Sequence, residues 1–552
     1  MSEASHATVF VNGTVIVDPA SASGAVTSEA VAFQGDRVVA LGSEAQAIAA
    51  GAGSDPALTV IDLASGTLAP GIGDGHAHPL LGGIEALGPR VREAADLAGI
   101  LAAVAEWKAA HPDAEWIVGA SYDATFAEGG LFDARWLDEV TGDTPTILRA
   151  WDYHTAWVNS AALAAGGITA ETPDPELGRI VRRDDGSPLG TLQEAAANNF
   201  IADVVPAFTL DDRLDAIERA TRGYAEQGTT WIQDAWVEAA DLALYLEAAK
   251  QHRLHTRVNL AFRADPARWR EQVAEFTAAR ESVRDLAHPR LSGETVKFFL
   301  DGVIESHTAA LIEPYADRPT DRGLPNWSDV ELGEAVRAFD AAGFQLHLHA
   351  IGDAANRSAL DALESARAAG GSGADSHHVI AHVALLDPAD VDRFAELDII
   401  ANFEPYWAQC DAVMRDLTIP HLGHSREGWQ YLIGSVHRSG ATVTFGSDWP
   451  VTTRDWRPAL STAITRHSHT EPGADAWLPD ERVDAGTALA AYTAGIARQA
   501  LATDRGTLAV GMVADAVWLS ANPLAIAPEA IADLTVHGTW LAGEPTFHGD
   551  AH

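Results

Sequence analysis

Eight short apolar runs recur along the middle of the chain, at 67–73, 228–235, 255–262, 295–301, 344–350, 377–384, 398–404 and 441–447. Their length and their valine, isoleucine and phenylalanine content predict strands. Amphipathic stretches, such as 328–342 and 353–369, predict helices between several of them. Strands alternating with helices predict a parallel α/β sheet, and eight of them predict closure into a (β/α)₈ TIM barrel. The interval after the first strand, about 80–227, is too long for one crossover. It carries strand-like pieces of its own (Glu115-Trp-Ile-Val-Gly and Thr146-Ile-Leu-Arg-Ala-Trp) and reads as a large inserted subdomain. Residues 8–17 and 30–42 read as short strands around Asn-Gly and Gly-Asp turns, and 506–519 and 534–541 have the same character. The expected organisation is a small β-sandwich domain built from both termini (1–65 and 495–552) flanking a barrel over 66–494.

Composition narrows the classes. Of 552 residues, 47% are apolar and 21% charged, which is ordinary for a globular protein and excludes a mostly disordered one. The formal charge of −41 argues against nucleic acid and anionic membrane as partners and leaves a small-molecule substrate. A single cysteine, Cys410, excludes an internal disulfide framework and a thiolate metal cage, and is expected to be a buried spectator. The first residues lack the basic-then-apolar pattern of a signal peptide, and no run of ~18 apolar residues is present to cross a bilayer. A cytoplasmic protein is the expectation.

The candidate chemistry sits at the ends of the strands. His76 and His78 follow the first strand in Gly73-Asp-Gly-His-Ala-His78, and residues two apart in extended chain face one side, so both can converge on one metal. Lysine occurs only three times, and while Lys108 and Lys250 lie in polar, helix-like surroundings, Lys297 lies inside an apolar strand. An unpaired ammonium there is costly. Three readings stand open: an ion pair with Asp301, a depressed and reactive amine, or carbamylation by CO₂ into an anionic ligand able to bridge two metals. His347 and His349 share a face at the end of the fifth strand, His382 ends the sixth, and Asp448 ends the eighth, where a helix N-cap is its plainer reading. Taken together, five of eight strands end in histidine, lysine or aspartate. An all-nitrogen and oxygen donor set suits a catalytic zinc or another divalent ion.

This arrangement resembles the amidohydrolase superfamily of metal-dependent hydrolases, and its YtcJ-like branch in particular. The resemblance spans almost the whole chain. Pro70-Gly-Ile-Gly-Asp-Gly-His-Ala-His78 is similar to the opening motif, Val296-Lys-Phe-Phe-Leu-Asp-Gly302 to the carboxylated-lysine strand, His349-Ala-Ile-Gly-Asp353 to the fifth-strand motif and Gly446-Ser-Asp-Trp-Pro450 to the eighth. Trp151-Asp-Tyr-His154-Thr-Ala-Trp-Val-Asn159 and Gly190-Thr-Leu-Gln-Glu194-Ala fit the branch's insertion. The resemblance implies His76, His78, Lys297, His349, His382 and Asp448 as ligands of one or two divalent ions, zinc first among them. It also implies a bridging carboxylated Lys297, Asp448 as general base, and a homodimer. Ala381 stands where the branch usually carries an acid, and Glu404 where it often carries glutamine. Both bear on substrate rather than on the metal.

The activity the resemblance implies is hydrolysis of a C–N bond in a small, non-peptide linear amide, such as an N-substituted formamide or N-acyl amine. Sixteen tryptophans, including Trp151, Trp157, Trp231, Trp236, Trp407 and Trp449, suit either an aromatic pocket or a large core. His154, His307, Glu404, Trp407 and Trp449 are the candidate substrate contacts. A deaminase or a lactone or ester hydrolase on the same barrel remains an alternative. A glycosidase needs paired carboxylates, against which the strand-end histidines speak. A non-catalytic binding protein would be expected to have lost ligands, whereas all six positions are filled.

Overall fold

Polar and apolar residues alternate along the barrel strands, yet both kinds are buried. The computed structural model describes residues 7–50, 57–151, 153, 155–175, 178–371, 376–469, 471 and 473–549. The central sheet runs β1 (Ile72–Ala77), β2 (Thr229–Val237), β3 (Arg257–Arg263), β4 (Leu291–Phe299), β5 (Gln345–Ala350), β6 (Val379–His382), β7 (Ile400–Phe403) and β8 (Val443–Phe445), neighbours in sequence being parallel neighbours in the sheet. The ring is nearly closed. The backbone N–H groups of Ser447 and Asp448 donate to the His76 carbonyl (3.2 and 2.7 Å), and that of His78 donates to Trp449 (2.7 Å). This is the (β/α)₈ barrel.

The alternation has a physical reading. One face of β5 carries Leu346 and Leu348, and the other carries Gln345, His347 and His349, all buried. The polar face lines the inside of the barrel. There Asn259 donates to Gln233 (2.8 Å) and Thr295 (2.7 Å), Thr295 donates to Gln345 (2.8 Å), and Asn402 donates to Thr444 (2.9 Å). Buried amides and hydroxyls survive only when hydrogen-bonded, so this network is the partner each requires. The apolar face packs on helices. Helix Asp329–Ala341, capped by Ser328 (Oγ accepting from Glu331 N, 3.3 Å), buries Leu332, Ala335, Val336 and Phe339, and helix Asp353–Ala368 follows β5.

Two boundaries differ from the sequence reading. The apolar run at 67–73 is not one barrel strand. Thr67–Pro70 pairs with Thr14–Ser21 and Ala516–Leu519, and the barrel strand begins only at Ile72. His76 therefore lies within β1, with His78 just past its end. Strands from both ends of the chain share that six-stranded sheet, whose order is Glu544–His548, Val536–Leu541, Ala516–Leu519, Thr67–Pro70, Thr14–Ser21, Gly24–Ser28. With a four-stranded sheet from residues 7–62 it encloses a core of Phe10, Phe33, Leu68 and Trp540.

The chain divides into two compact units, residues 1–78 with 221–552, and residues 79–220. The second unit has its own five-stranded sheet, with Ile117–Tyr122 at one edge and Thr146–Ala150 beside it, over a core of Tyr122, Phe132, Leu148 and Trp157. Within it Lys108 is only half-buried and donates to the Thr141 carbonyl, whereas Lys250, in the first unit, is exposed beside Glu247. Cys410 is half-buried, not buried. Among the described residues no helix is long and apolar enough to cross a membrane.

Candidate metal centre

The inner faces of the strands deliver their polar side chains to one end of the barrel, the carboxyl ends, where sites form in this fold. His76 from β1 and His78 meet Asp448, which follows β8. The His78 Nε2 and His76 Nε2 atoms lie 3.0 and 3.5 Å from Asp448 Oδ1. Glycine permits this approach: a Cβ on Gly446 would lie 2.8 Å from both the Cβ and the backbone nitrogen of His76. Asp74, two residues before His76, ties the seam together by accepting from the Ser447 N–H and hydroxyl and from the Tyr224 hydroxyl.

The remaining donors close in from the other strands. Lys297 Nζ of β4 lies 3.4 Å from His76 Nε2. His76 Nδ1 lies 2.9 Å from His347 Nε2. The His382 ring sits 4.5 Å from that of His76 and 4.3 Å from that of His349, centroid to centroid. His382 Nδ1 donates to Glu404 Oε2 at 2.9 Å, which leaves the Nε2 lone pair free to coordinate. Donor atoms of His76, His78 and Asp448 all lie within 4.8 Å of one another, as do those of His76, His382 and Glu404. Bonds of ~2.0–2.2 Å at a tetrahedral ion need donors ~3.3 Å apart, close to the spacings present.

Burial sets the protonation states. It drives the imidazoles of His76, His347 and His349 well below the usual histidine range, helped by the Lys297 amine and neighbouring rings, so they are neutral, as ligands must be. Burial also pulls the Lys297 ammonium down to about 7, against the opposing charges of Asp448, Glu404 and Asp234. Burial would raise Asp448, but the hydrogen bond and charge of His78 outweigh it and hold the carboxyl below its ordinary value. Among the described residues, His349 Nε2, His382 Nε2 and Glu404 Oε1 are buried in the cluster with no hydrogen-bond partner. Buried polar atoms are seldom orphaned, and such a set of nitrogen and oxygen lone pairs is what a divalent ion satisfies. The residues fit the group.

The six predicted ligands thus converge, with Glu404 beside them. Trp407 stacks on His382 (centroids 5.7 Å apart, planes 11°), so it also borders the cluster. The other substrate candidates fare differently. Trp449 is buried against Tyr224 and under Arg454, and contributes its carbonyl to His78 rather than a face to a ligand. His307 pairs with Asp317 and His421 instead of facing the cluster. His154 lies outside the described residues. Of the tryptophans weighed for an aromatic pocket, Trp157 fills the core of the second unit.

Asp301 is not the ion-pair partner of Lys297. Its carboxylate accepts backbone N–H groups of Ala310, Ile351 and Gly352 (2.9, 3.0 and 2.8 Å), pinning the loops after β4 and β5. Nor does Asp448 cap a helix. Sequence reasoning passed over Phe299, whose half-buried ring packs on His349 (4.2 Å) and on Trp236 (5.4 Å). The signal was present, since Phe299 shares with Lys297 the same alternate face of β4.

A nearly closed parallel barrel with imidazoles, an amine and carboxylates gathered at the carboxyl ends of its strands is the architecture of a metal-dependent hydrolase. The amidohydrolase family matches residues 59–547, and the chain belongs to that family. It is 31% identical to Protein LONG AFTER FAR-RED 3 of Arabidopsis thaliana over 529 residues, covering 93% of this chain and 87% of that one. It is 27% identical to the putative amidohydrolase YtcJ of Bacillus subtilis (89% and 91% covered), which supports the YtcJ-like branch. It is also 27% identical to the N-substituted formamide deformylase of Arthrobacter pascens, covering 94% of each chain.

Proposed function

We propose that the protein hydrolyses the C–N bond of a small N-formyl or N-acyl amine, releasing the acid and the free amine, with zinc as the divalent ion. The observation that carries this reading is the convergence of His76, His78, Lys297, His349, His382 and Asp448 with unpartnered buried lone pairs among them. A divalent ion held there polarises a carbonyl and acidifies water. His76, His78 and Asp448 would hold one ion, and His349 and His382 a second. Lys297 stands between them, and its depressed amine would, on adding CO₂ and losing a proton, supply an anionic carbamate as a further oxygen ligand. Asp448 accepts a proton from water at the carboxylate and returns it to the nitrogen of the leaving amine. His78 holds that carboxylate in place, and Glu404 fixes the tautomer of His382.

The substrate class rests on two supports: the similarity to a protein named as an N-substituted formamide deformylase, and the aromatic surface of Trp407, Phe299 and Trp236 flanking the ligands. Such a surface suits an apolar N-substituent. In the same reading the enzyme is a cytoplasmic homodimer, which sedimentation of the purified protein tests. The deciding experiment is a hydrolysis screen of zinc-loaded protein against N-substituted formamides, longer N-acyl amines, lactones and heterocyclic amines. Turnover of formamides or short amides, abolished by a chelator and restored by zinc, supports the proposal. Ammonia release from heterocycles alone, or turnover that survives the chelator, overturns it.

A further inference from the structure

The loops that follow β4 and β7 are clasped to each other by a second group of histidines and a carboxylate. The Ala316 N–H donates to the His421 carbonyl (2.8 Å), and the Arg426 guanidinium donates to the carbonyls of Glu313 and Pro314 (2.9 and 2.8 Å). These bonds hold helix Ile419–Leu422 against the 313–316 turn. Between the two loops stand His307, Asp317 and His421. His307 Nε2 lies 2.8 Å and His421 Nε2 3.7 Å from the same oxygen, Asp317 Oδ2, and the two rings are 3.9 Å apart. All three donor atoms lie within 4.8 Å of one another.

Hydrogen bonding explains only half of this geometry. Asp317 and His307 make one good pair. His421, however, has its Nδ1 turned to the Ile304 carbonyl at 3.3 Å. A carbonyl only accepts, so Nδ1 carries the proton, and in the neutral ring Nε2 then presents a lone pair to the carboxylate oxygen. Two acceptors face each other across 3.7 Å. A positive centre between them removes the conflict. Both imidazoles are largely buried (7% and 14% exposed), while Asp317, at 40%, keeps the site open to solvent on one side. The donors also fit in size: closing the wider pair and opening the narrower by a few tenths of an ångström reaches the ~3.3 Å separation of ligands on a tetrahedral ion.

We propose that His307, Asp317 and His421 form a separate divalent-cation site, for zinc or a similar borderline ion, that locks the loop after β4 to the segment after β7. Two histidines and one carboxylate supply three ligands, and the exposed side leaves a fourth position for water. The Ile304 carbonyl orients His421 as outer partners orient metal-bound imidazoles.

The test uses full-length protein stripped with a chelator and re-equilibrated with Zn²⁺, then with Co²⁺. Metal content per chain is measured for the parent, Asp317→Asn and His421→Gln, each also in an Asp448→Asn background. The expected result is a loss of about one equivalent in both variants, whichever background carries them, with loss of the corresponding Co²⁺ visible bands. The difference between backgrounds reports the strand-end cluster alone, so failure there does not mimic failure here. Unmutated protein provides a second measurement: zinc should protect His307 and His421 from acylation by diethyl pyrocarbonate, read by peptide mass spectrometry. Equal metal content in parent and variants, or no zinc protection of these two residues, means that His421 is instead an imidazolium in an ordinary ion pair and overturns the proposal.

Discussion

Glu404 offers the sharpest test of how the centre is held. Its carboxylate accepts from His382 Nδ1 at 2.9 Å, and the two side chains are 0% and 2% exposed. Glu404→Ala leaves that N–H buried without an acceptor, which costs about 1–3 kcal/mol. At about 1.4 kcal/mol per factor of ten, this amounts to roughly 5- to 150-fold. The range overlaps the ~10–100-fold losses of metal affinity seen when an outer partner of a ligating histidine is removed. Glu404→Gln keeps an acceptor of the same shape and loses only the charge, so its loss should fall at or below about tenfold. Competition between protein and a chromophoric chelator for zinc measures affinity, and kcat/KM on a turned-over formamide gives the catalytic counterpart. The expected order is wild type, then glutamine, then alanine, in both measurements. If alanine holds metal as tightly as wild type, the hydrogen bond does not orient His382 and the reasoning fails.

Four further outcomes follow from the same geometry. Lys297→Ala should lower both zinc content and activity by at least about a hundredfold, with partial recovery on adding small carboxylic acids; full activity and metal in the variant would remove Lys297 from the site. Asp448→Asn should keep the circular dichroism spectrum and lose about 10²–10⁴ in kcat/KM, since a ligand and a proton carrier go together. Trp407→Ala should raise KM more for aromatic than for methyl N-substituents, and equal effects on both would take the ring out of substrate binding. Burial raises the Asp234 carboxyl from 3.8 to about 7, although the Tyr245 hydroxyl and Trp236 N–H donate to it. The folded state therefore favours the protonated acid. That stability is fully present below the unfolded value and is lost as pH rises towards 7, by about 4 kcal/mol. In urea titrations of metal-stripped protein, Asp234→Asn should flatten the decline between pH 4 and 7; an unchanged slope would refute the assignment.

Much of the barrel is legible in the sequence. Period-two alternation in segments such as Gln345-Leu-His-Leu-His349 marks a strand with one polar face, and the amphipathic stretches around 328–342 and 353–369 mark the helices that cover its other side. Alternation also tells which side chains share a face, pairing His76 with His78 and His347 with His349. It could not tell which groups meet across the barrel. The run at 67–73 shows the limit: its apolar residues are continuous, but the chain leaves one sheet and enters another at Gly71, a choice made by the partners at Ala516–Leu519 and Thr229.

The linear chain by itself determined the strand periodicity, the neutral nitrogen and oxygen chemistry at the strand ends, and the order in which those groups occur, because these follow from side-chain type and local spacing. Tertiary structure alone decided the pairings: Asp301 with the loop amides and not with Lys297, Glu404 with His382, Trp449 inside the wall, and His307 with Asp317 and His421. Each joins residues from different elements, set by closure of the ring and by the loops packed over its mouth. The physical reason is that local periodicity fixes the direction of a side chain, while its partner depends on how distant segments are brought within hydrogen-bonding distance.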